Sequence, residues 1–354
     1  MKTLFKTLFA LFVIALLYLL FFPSDIEPVS YTPPKNPGFT GVFERNNQLA
    51  EAKKILSDIS AGPEAIVQGA DSMLYTGLAD GSIIRFSKDG KTSSTFAKTE
   101  GRPLGMKFDK NNNLIVADEF LGLLSVDTLG KITVLTDEVD GTKIFFADDL
   151  DITAEGMIYF TDASQRNHDV EKEIWELQPT GRLLSYNPNN KLTKVEMEGM
   201  RFANGVTLGP NDEYLLVNET FGMKINKFWL KGTKTGQTEI FNNELPGFPD
   251  NITYNDNGTY WVSFPNRRIG DDFESVYEKP YLRKILRKLP SALTAQEPPP
   301  FGMIIGLNES GEVTHNYQDT TGTFHDLTSV VEIDGDLYLG SLKMSSVGKF
   351  ELNK

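Results

Sequence analysis

From about residue 50 onward the chain alternates short apolar runs with polar, glycine-rich turns, the pattern of half-buried strands. The runs recur as MLYTG (73–77), LIVAD (114–118), MIYFTD (157–162), YLLVNE (214–219), TYWVSF (259–264) and LYLGS (337–341). Upstream of them stand GPEAI (62), GRPLG (101), ADDLD (147), FANGV (202), FPDNI (248) and DLTSV (326), spaced by 39, 46, 55, 46 and 78 residues. Units of this period, each with several strands, are propeller blades. Third strands follow as SIIRFSK, GLLSVDT, RLLSYNP, KINKFWL, MIIGLNE and GKFELN, and most units add a fourth such as KITVLTD. The sixth unit ends before its fourth strand. AEAKKILSDIS (50–60) precedes the first unit as fourth strands precede later ones, so it completes the last blade and leaves no open edge. The expectation is an all-β, six-bladed β-propeller over residues 46–354.

The amino terminus follows another rule. Leu8 to Phe22 is an unbroken apolar run, with Lys2 and Lys6 before it and Asp25 and Glu27 after it. As a helix it rises roughly 22 Å at about 1.5 Å per residue, so Thr3 to Phe5 must join it, with Lys6 snorkelling, to cross a bilayer. A cleaved signal peptide is the competing reading; the bulky residues Leu19 to Phe22 and the lack of a small-x-small pattern favour a retained anchor. The expected order is a cytoplasmic stub (1–6), a signal anchor or transmembrane helix (7–22), a stiff proline-rich stalk (23–45) and the propeller. Basic residues before the span and acids after it place the body on the extracytoplasmic side, whether periplasmic, lumenal or extracellular.

Composition narrows the chemistry. With 35 Lys and Arg against 48 Asp and Glu the net charge is −13, which repels a phosphate backbone and excludes a nucleic-acid role. Zero Cys removes thiolate metal sites and thiol nucleophiles, and three His leave any metal to oxygen ligands. No G-x-S-x-G, H-E-x-x-H or P-loop is present.

In a propeller the innermost strands surround the axis, so equal offsets mean a common location. Eleven residues before the middle of each second strand stand Glu64, Asp148, Asn204 and Asp250, with Leu104 and Leu327 in the other two blades. Asp149 and Asn251 follow directly and supplement the ring. Three carboxylates crowded on one axis repel each other unless a cation lies among them, and an all-oxygen set with a neutral amide suits Ca²⁺ better than Mg²⁺. The predicted metal ligands are Glu64, Asp148, Asn204, Asp250 and Asn251.

GPEAI, GRPLG, ADDLDI, IYFTDAS, GRLLSY, FANGV, LLVNET, KFWLKG, LPGFPDNI and LYLGS together resemble the strictosidine-synthase-like propeller family, nearest to its adipocyte plasma membrane-associated branch. The likeness runs over about residues 40–354 and includes the single anchor. More distantly the chain is similar to paraoxonases, gluconolactonases and regucalcin, which implies a calcium-dependent hydrolase of lactones and esters. In those relatives the axial calcium ligands match Glu64, Asp148, Asn204 and Asp250, with Asn251 added in paraoxonases. Asp148 stands where they have Asn. Ala65 stands where paraoxonases have an acid for a second calcium. Strictosidine synthases use a glutamate in blade six to condense an amine with an aldehyde; Thr328 matches it here, so that reading loses its base.

An open-coordinated Ca²⁺ polarises an ester or lactone carbonyl for attack by water. His325 and Asp149 are the catalytic candidates for proton transfer, and Arg102 and His168 the substrate-binding ones. Arg102 and His325 each stand two residues before their blade's axial position and lean toward the same face. The rival reading is a calcium-stabilised binding module without turnover. The long spacings come from inserts at 164–179 and 266–300. In the second, Tyr281, Leu282, Ile285, Leu286 and Leu289 form an apolar stripe opposite Arg283, Lys284, Arg287 and Lys288, which predicts an amphipathic helix over 280–290 that serves as a lid or rests on lipid headgroups.

Overall fold

A computed structural model describes residues 2–268, 270, 274–290 and 299–352. The chain divides into two compact units, one of Pro34–His168, Pro179–Arg268 and Pro300–Lys354, the other of Met1–Pro33, Asp169–Gln178 and Ile269–Pro299.

The larger unit is the six-bladed propeller, with six antiparallel four-stranded sheets among the described residues. In each sheet the strands run in order outward from the axis; blade three, for example, is Ala147–Ile152, Ile158–Asp162, Gly181–Asn187 and Leu192–Met200. Second strands such as Leu114–Asp118 and Tyr260–Phe264 are buried at every position, because each blade is sandwiched between two neighbours. Outer strands such as Ser93–Lys98 are mostly exposed. This gradient is why the second strands read as solid apolar runs and the fourth strands do not. A separate apolar cluster fills each of the six blade junctions, including that between blades six and one, where Ile333, Tyr338 and Val347 pack with Ile66, Leu74 and Phe86. The ring closes as expected: Lys53–Ile55 pairs antiparallel with Val347–Glu351, Lys54 opposite Gly348. A small hairpin, Glu138–Val139 with Thr142–Lys143, lies outside the blades.

The smaller unit holds the apolar helix Lys2–Phe21, long and apolar enough to cross a membrane, and the two insert helices Val170–Glu176 and Pro280–Leu286. The second insert helix forms inside the predicted span, with Pro280 in its first turn; residues 269, 271–273 and 291–298 of that insert lie outside the described ones.

The stretch 23–45, expected as a stiff proline-rich stalk, is largely extended, and some of its residues pack against the fold. Ile26 is wholly buried and the Val29 amide donates to the Glu176 carbonyl at 3.0 Å within the smaller unit. In the larger unit Phe43 enters the apolar cluster of blades four and five, and Phe39 meets Phe301 edge to face. Apolar residues spaced among the prolines, rather than the prolines, decide this: buried Ile26 and Phe43 each return up to about 2 kcal/mol that a solvated stalk forgoes.

Candidate axial site

Four of the six inner strands break their ladder at the same place. Register shifts fall between Pro103 and Met106, Ala147 and Leu150, Ala203 and Val206, and Leu327 and Val330. Each leaves a bulged pair: Leu104–Gly105, Asp148–Asp149, Asn204–Gly205 and Thr328–Ser329. In blades one and five Glu64–Ala65 and Asp250–Asn251 immediately precede the paired residues Ile66 and Ile252. Hydrogen bonds knit these pairs from blade to blade. Val206 N donates to Asp149 Oδ2 at 2.9 Å, Gly205 N to the Asp250 carbonyl at 3.1 Å, Asn251 N to the Thr328 carbonyl at 3.0 Å, and Ser329 Oγ to the Glu64 carbonyl. The bulges therefore form a ring about the axis.

The first residues of the pairs are Glu64, Leu104, Asp148, Asn204, Asp250 and Thr328. Five coincide with the sequence count. In blade six the count falls on Leu327, and the structure corrects it by one: Val330 pairs with Leu339, nine residues on, where Met106 pairs with Val116 and Leu150 with Phe160, ten residues on. Blade six thus brings a hydroxyl instead of an alkyl chain. Thr328 is wholly buried and stabilises the Glu64 carboxylate.

Glu64, Asp148, Asn204 and Asp250 are each about 95% buried. Burial lifts the Glu64 carboxyl above its ordinary range, opposed by Arg102 and reinforced by Glu119. Burial, then Glu64, pushes Asp148 and Asp250 well above theirs; Asp149 and Asp148 respectively add to the rise, and an Asn204 hydrogen bond opposes it in Asp250. Three buried acids, of which Glu64 raises both aspartates and Asp148 raises Asp250, are a site in want of positive charge. Glu64 Oε2, Asn204 Oδ1, Asn218 Oδ1 and Asn251 Oδ1 are buried without a hydrogen-bond partner, which is uncommon for polar atoms in a folded interior. Among the described residues no three His, Asp or Glu side chains converge into a ready-made metal centre. The donors that remain are carboxylate, amide and hydroxyl oxygens, a set that fits a hard divalent cation of calcium type and not a zinc-like one.

Asp149 and Asn251, the second residues of their pairs, stand apart from the first residues in one respect. They line a central channel of about 270 Å³ with Lys107, Asp151 and Ser329, and none of the six first residues borders it. Burial raises Asp149 to about 7 against hydrogen bonds from Val206 and Leu150. Lys107 Nζ lies 3.0 Å from Asp151 Oδ1 in this channel.

On the opposite side, two residues before the first bulge residue, stand Gly62, Arg102, Phe146, Phe202, Phe248 and Asp326. Blades three to five present aromatic rings: Phe146 to Phe202 at 5.3 Å between centroids, Phe202 to Phe221 at 5.1 Å and Phe221 to Phe248 at 6.0 Å. Blades two and six present charge. Arg102 stands 3.5 Å from Glu64 and 3.1 Å from Glu119, and Glu119 accepts at 3.3 Å from His168 Nδ1. His168 stacks on Phe145 at 4.1 Å and touches Phe120 and Phe146. The predicted residues Arg102 and His168 are thereby brought together through Glu119, which sequence reasoning missed. Its signal was present: an acid ends the second strand in blades two to four, where Asp118, Asp162 and Glu219 accept from the amides of Arg102, Phe145 and Phe146, and Arg201. Glu119 follows the first of these anchors.

His325 is not brought to this cluster. The shift to Thr328 gives the position two residues earlier to Asp326, and His325 Nδ1 pairs with that carboxylate. Its own carbonyl accepts from Ser341 Oγ at 2.7 Å. His315 lies in an outer strand beside Trp261 and Tyr317, where burial lowers its pKa.

Comparison with known proteins follows the same lines. A family model described as strictosidine synthase matches residues 148–233, and one described as strictosidine synthase-like, N-terminal, matches 41–86. The adipocyte plasma membrane-associated protein of Salmo salar is 35% identical over 94% of this chain and 85% of its own. Among solved structures, a gluconolactonase from Xanthomonas campestris superposes with a TM-score of 0.63 at 15% identity over 94% of this chain and 99% of its own. Regucalcin from Agrobacterium tumefaciens, described as calcium-binding, gives 0.58 at 10% identity over 84% and 93%.

Proposed function

Because this chain belongs to the strictosidine-synthase-like family that includes the adipocyte plasma membrane-associated proteins, we propose that it is a membrane-anchored hydrolase of aryl esters or lactones with calcium at its axial site. The observation that carries the reading is the trio Glu64, Asp148 and Asp250, buried with raised pKa values beside the Asn204 oxygen that accepts no hydrogen bond. Glu64, Asp148, Asn204 and Asp250 would hold the ion, with Thr328 beside them and Asn251 below.

When bound, calcium polarises a carbonyl and offsets the charge that develops on its oxygen. The remaining work falls to the chain. Phe146, Phe202 and Phe248 seat the apolar part of the substrate and exclude water from that half of the mouth. Arg102, already balanced by Glu64 and Glu119, orients a carbonyl or carboxylate and limits the negative charge at the axis. Glu119 fixes His168 through Nδ1, which leaves Nε2 to take the proton of the attacking water. Condensation of an amine with an aldehyde is disfavoured, because blade six offers the Thr328 hydroxyl where that chemistry needs a carboxylate base. One observation favours a binding module: Arg102 already sets a positive charge between Glu64 and Glu119.

On location, we propose that the Lys2–Phe21 helix spans a bilayer with the propeller on the extracytoplasmic side, supported by Lys2 and Lys6 before it and Asp25 and Glu27 after it. The deciding assay is turnover of phenyl acetate and δ-valerolactone by the full chain in detergent, with and without chelator, beside Asn204→Ala and Asp250→Asn. Activity that vanishes with chelation and with both substitutions is expected; activity indifferent to all three ends the hydrolase reading, and calcium binding without turnover selects the binding module.

A further inference from the structure

The basic stripe of the second insert helix is spent on the end of the apolar helix. Lys288 Nζ donates to the Leu19 carbonyl at 3.0 Å and to that of Phe22, and the Tyr281 hydroxyl donates to the Leu20 carbonyl at 2.8 Å. Carbonyls in the last turn of a helix lack intrahelical partners, so these side chains cap it. The next residues are held as firmly. Arg287 pairs with Asp25 at 3.5 Å and with Glu171. Arg283, buried to 1% exposure, gathers the carbonyls of Val29, Trp175 at 2.8 Å and Tyr277 at 3.0 Å, one from the amino-terminal segment and one from each insert. Glu27 N donates to Glu176 Oε1 at 2.9 Å, and Tyr31 N to the Tyr277 carbonyl at 3.1 Å. The two inserts together form a collar around the chain where it leaves the helix.

We propose that this collar is an interfacial seat, with Tyr281 and Lys284 in contact with phospholipid headgroups; the proposal rests on the anchor reading of the amino-terminal helix. The 20 residues of that helix rise about 30 Å, the thickness of a hydrocarbon core. Its carboxy-terminal carbonyls therefore emerge at the headgroup layer, and the groups that cap them stand at the same depth. Tyr281 caps with its hydroxyl yet leaves 58% of its surface exposed, which suits the amphipathic ring of an interfacial tyrosine. Lys284 belongs to the same short helix and has a stem long enough to lay along acyl chains with its ammonium at a phosphate. Arg283, Arg287 and Lys288 are engaged within the collar, so the surface fits phospholipid in general and demands no anionic headgroup. On this proposal the lipid contact of the helix reduces to two side chains, while Arg283, Arg287 and Lys288 clamp the anchor.

The absence of Cys makes the test direct. Full-length Lys284→Cys and Tyr281→Cys proteins are labelled with bimane and reconstituted into phosphatidylcholine nanodiscs that contain lipid spin-labelled either at the headgroup or at acyl carbon 12. Quenching at least twofold stronger by the headgroup label at both positions is expected, with an intact mass that includes residues 1–22. Absence of quenching by either lipid in protein of full mass overturns the seat and leaves the anchor in place. A mass that lacks the amino-terminal helix overturns the anchor and the seat with it.

Discussion

Gly205 passes so close to Asn251 that a methyl group on it would lie 2.5 Å from the Asn251 Cα. Gly105 meets Asp149 in the same way, also at 2.5 Å from its Cα. At both places the bulge of one blade abuts the bulge of the next, and the side-chain-free position lets two inner strands close around the axis. Gly205→Ala presses a methyl group against the main chain of the next blade, where no rotamer relieves the clash. It is expected to lower stability by about 1–3 kcal/mol and to weaken calcium binding, measured by urea unfolding and by calcium titration. Unchanged values in both would show that the ring is looser than its hydrogen bonds imply.

Acidity supplies a second test. Burial and neighbouring carboxylates hold Glu64, Asp148 and Asp250 above their unfolded values. The cation-free folded state therefore keeps protons that the unfolded chain has already released. Their contribution to stability is complete below the ordinary carboxylate range and is lost as pH rises through the raised values. In chelator, the melting temperature is expected to fall as pH rises from about 5 to 8, and calcium at neutral pH to restore it. A melting temperature that climbs over this range without calcium contradicts the charge pattern of the site.

Arg102 is the only cation paired with an axial carboxylate among the described residues. Arg102→Met removes a positive charge beside Glu64 and Glu119, so calcium is expected to bind more tightly while the cation-free protein becomes less stable. Arg102→Lys should lie between, since a point charge replaces a fork that reaches two carboxylates. Isothermal titration and thermal melts read the two effects separately; looser calcium binding in the Met variant would mean that Arg102 organises the ligands rather than competes with their ion.

The two histidines near the site are expected to part company. His168→Gln should cut ester turnover by about a hundredfold or more, the usual scale of a lost proton-transfer group, with KM little changed. Glu119→Gln should cost less than His168→Gln and be partly rescued in Glu119→Asp, as befits a positioning residue. His325→Gln should keep turnover within about twofold. Full activity in His168→Gln would return the proton-transfer role to the axial acids.

Periodicity carried the architecture. Second strands buried on both faces must be apolar throughout, so six of them announce six blades, and the unpaired edges at Lys53–Ile55 and Val347–Glu351 can be satisfied only by each other. The same regularity located four oxygen donors, because a repeated offset within a repeated fold is a repeated place. It failed by one residue in blade six, where a tighter hairpin moved Thr328 into position. A single-residue change in turn length is invisible in hydrophobic pattern yet reverses which side chain faces the axis. Glu119 could not be read either: it joins Arg102 and His168, 17 and 49 residues away, and such partnerships arise from how blades are set side by side. The same holds for Arg283, Arg287 and Lys288. Their helix was legible from its stripe, but a cation on a helix surface has the same sequence signature whether it faces water, lipid or the carbonyls at the end of another helix, and only the folded chain chooses among them.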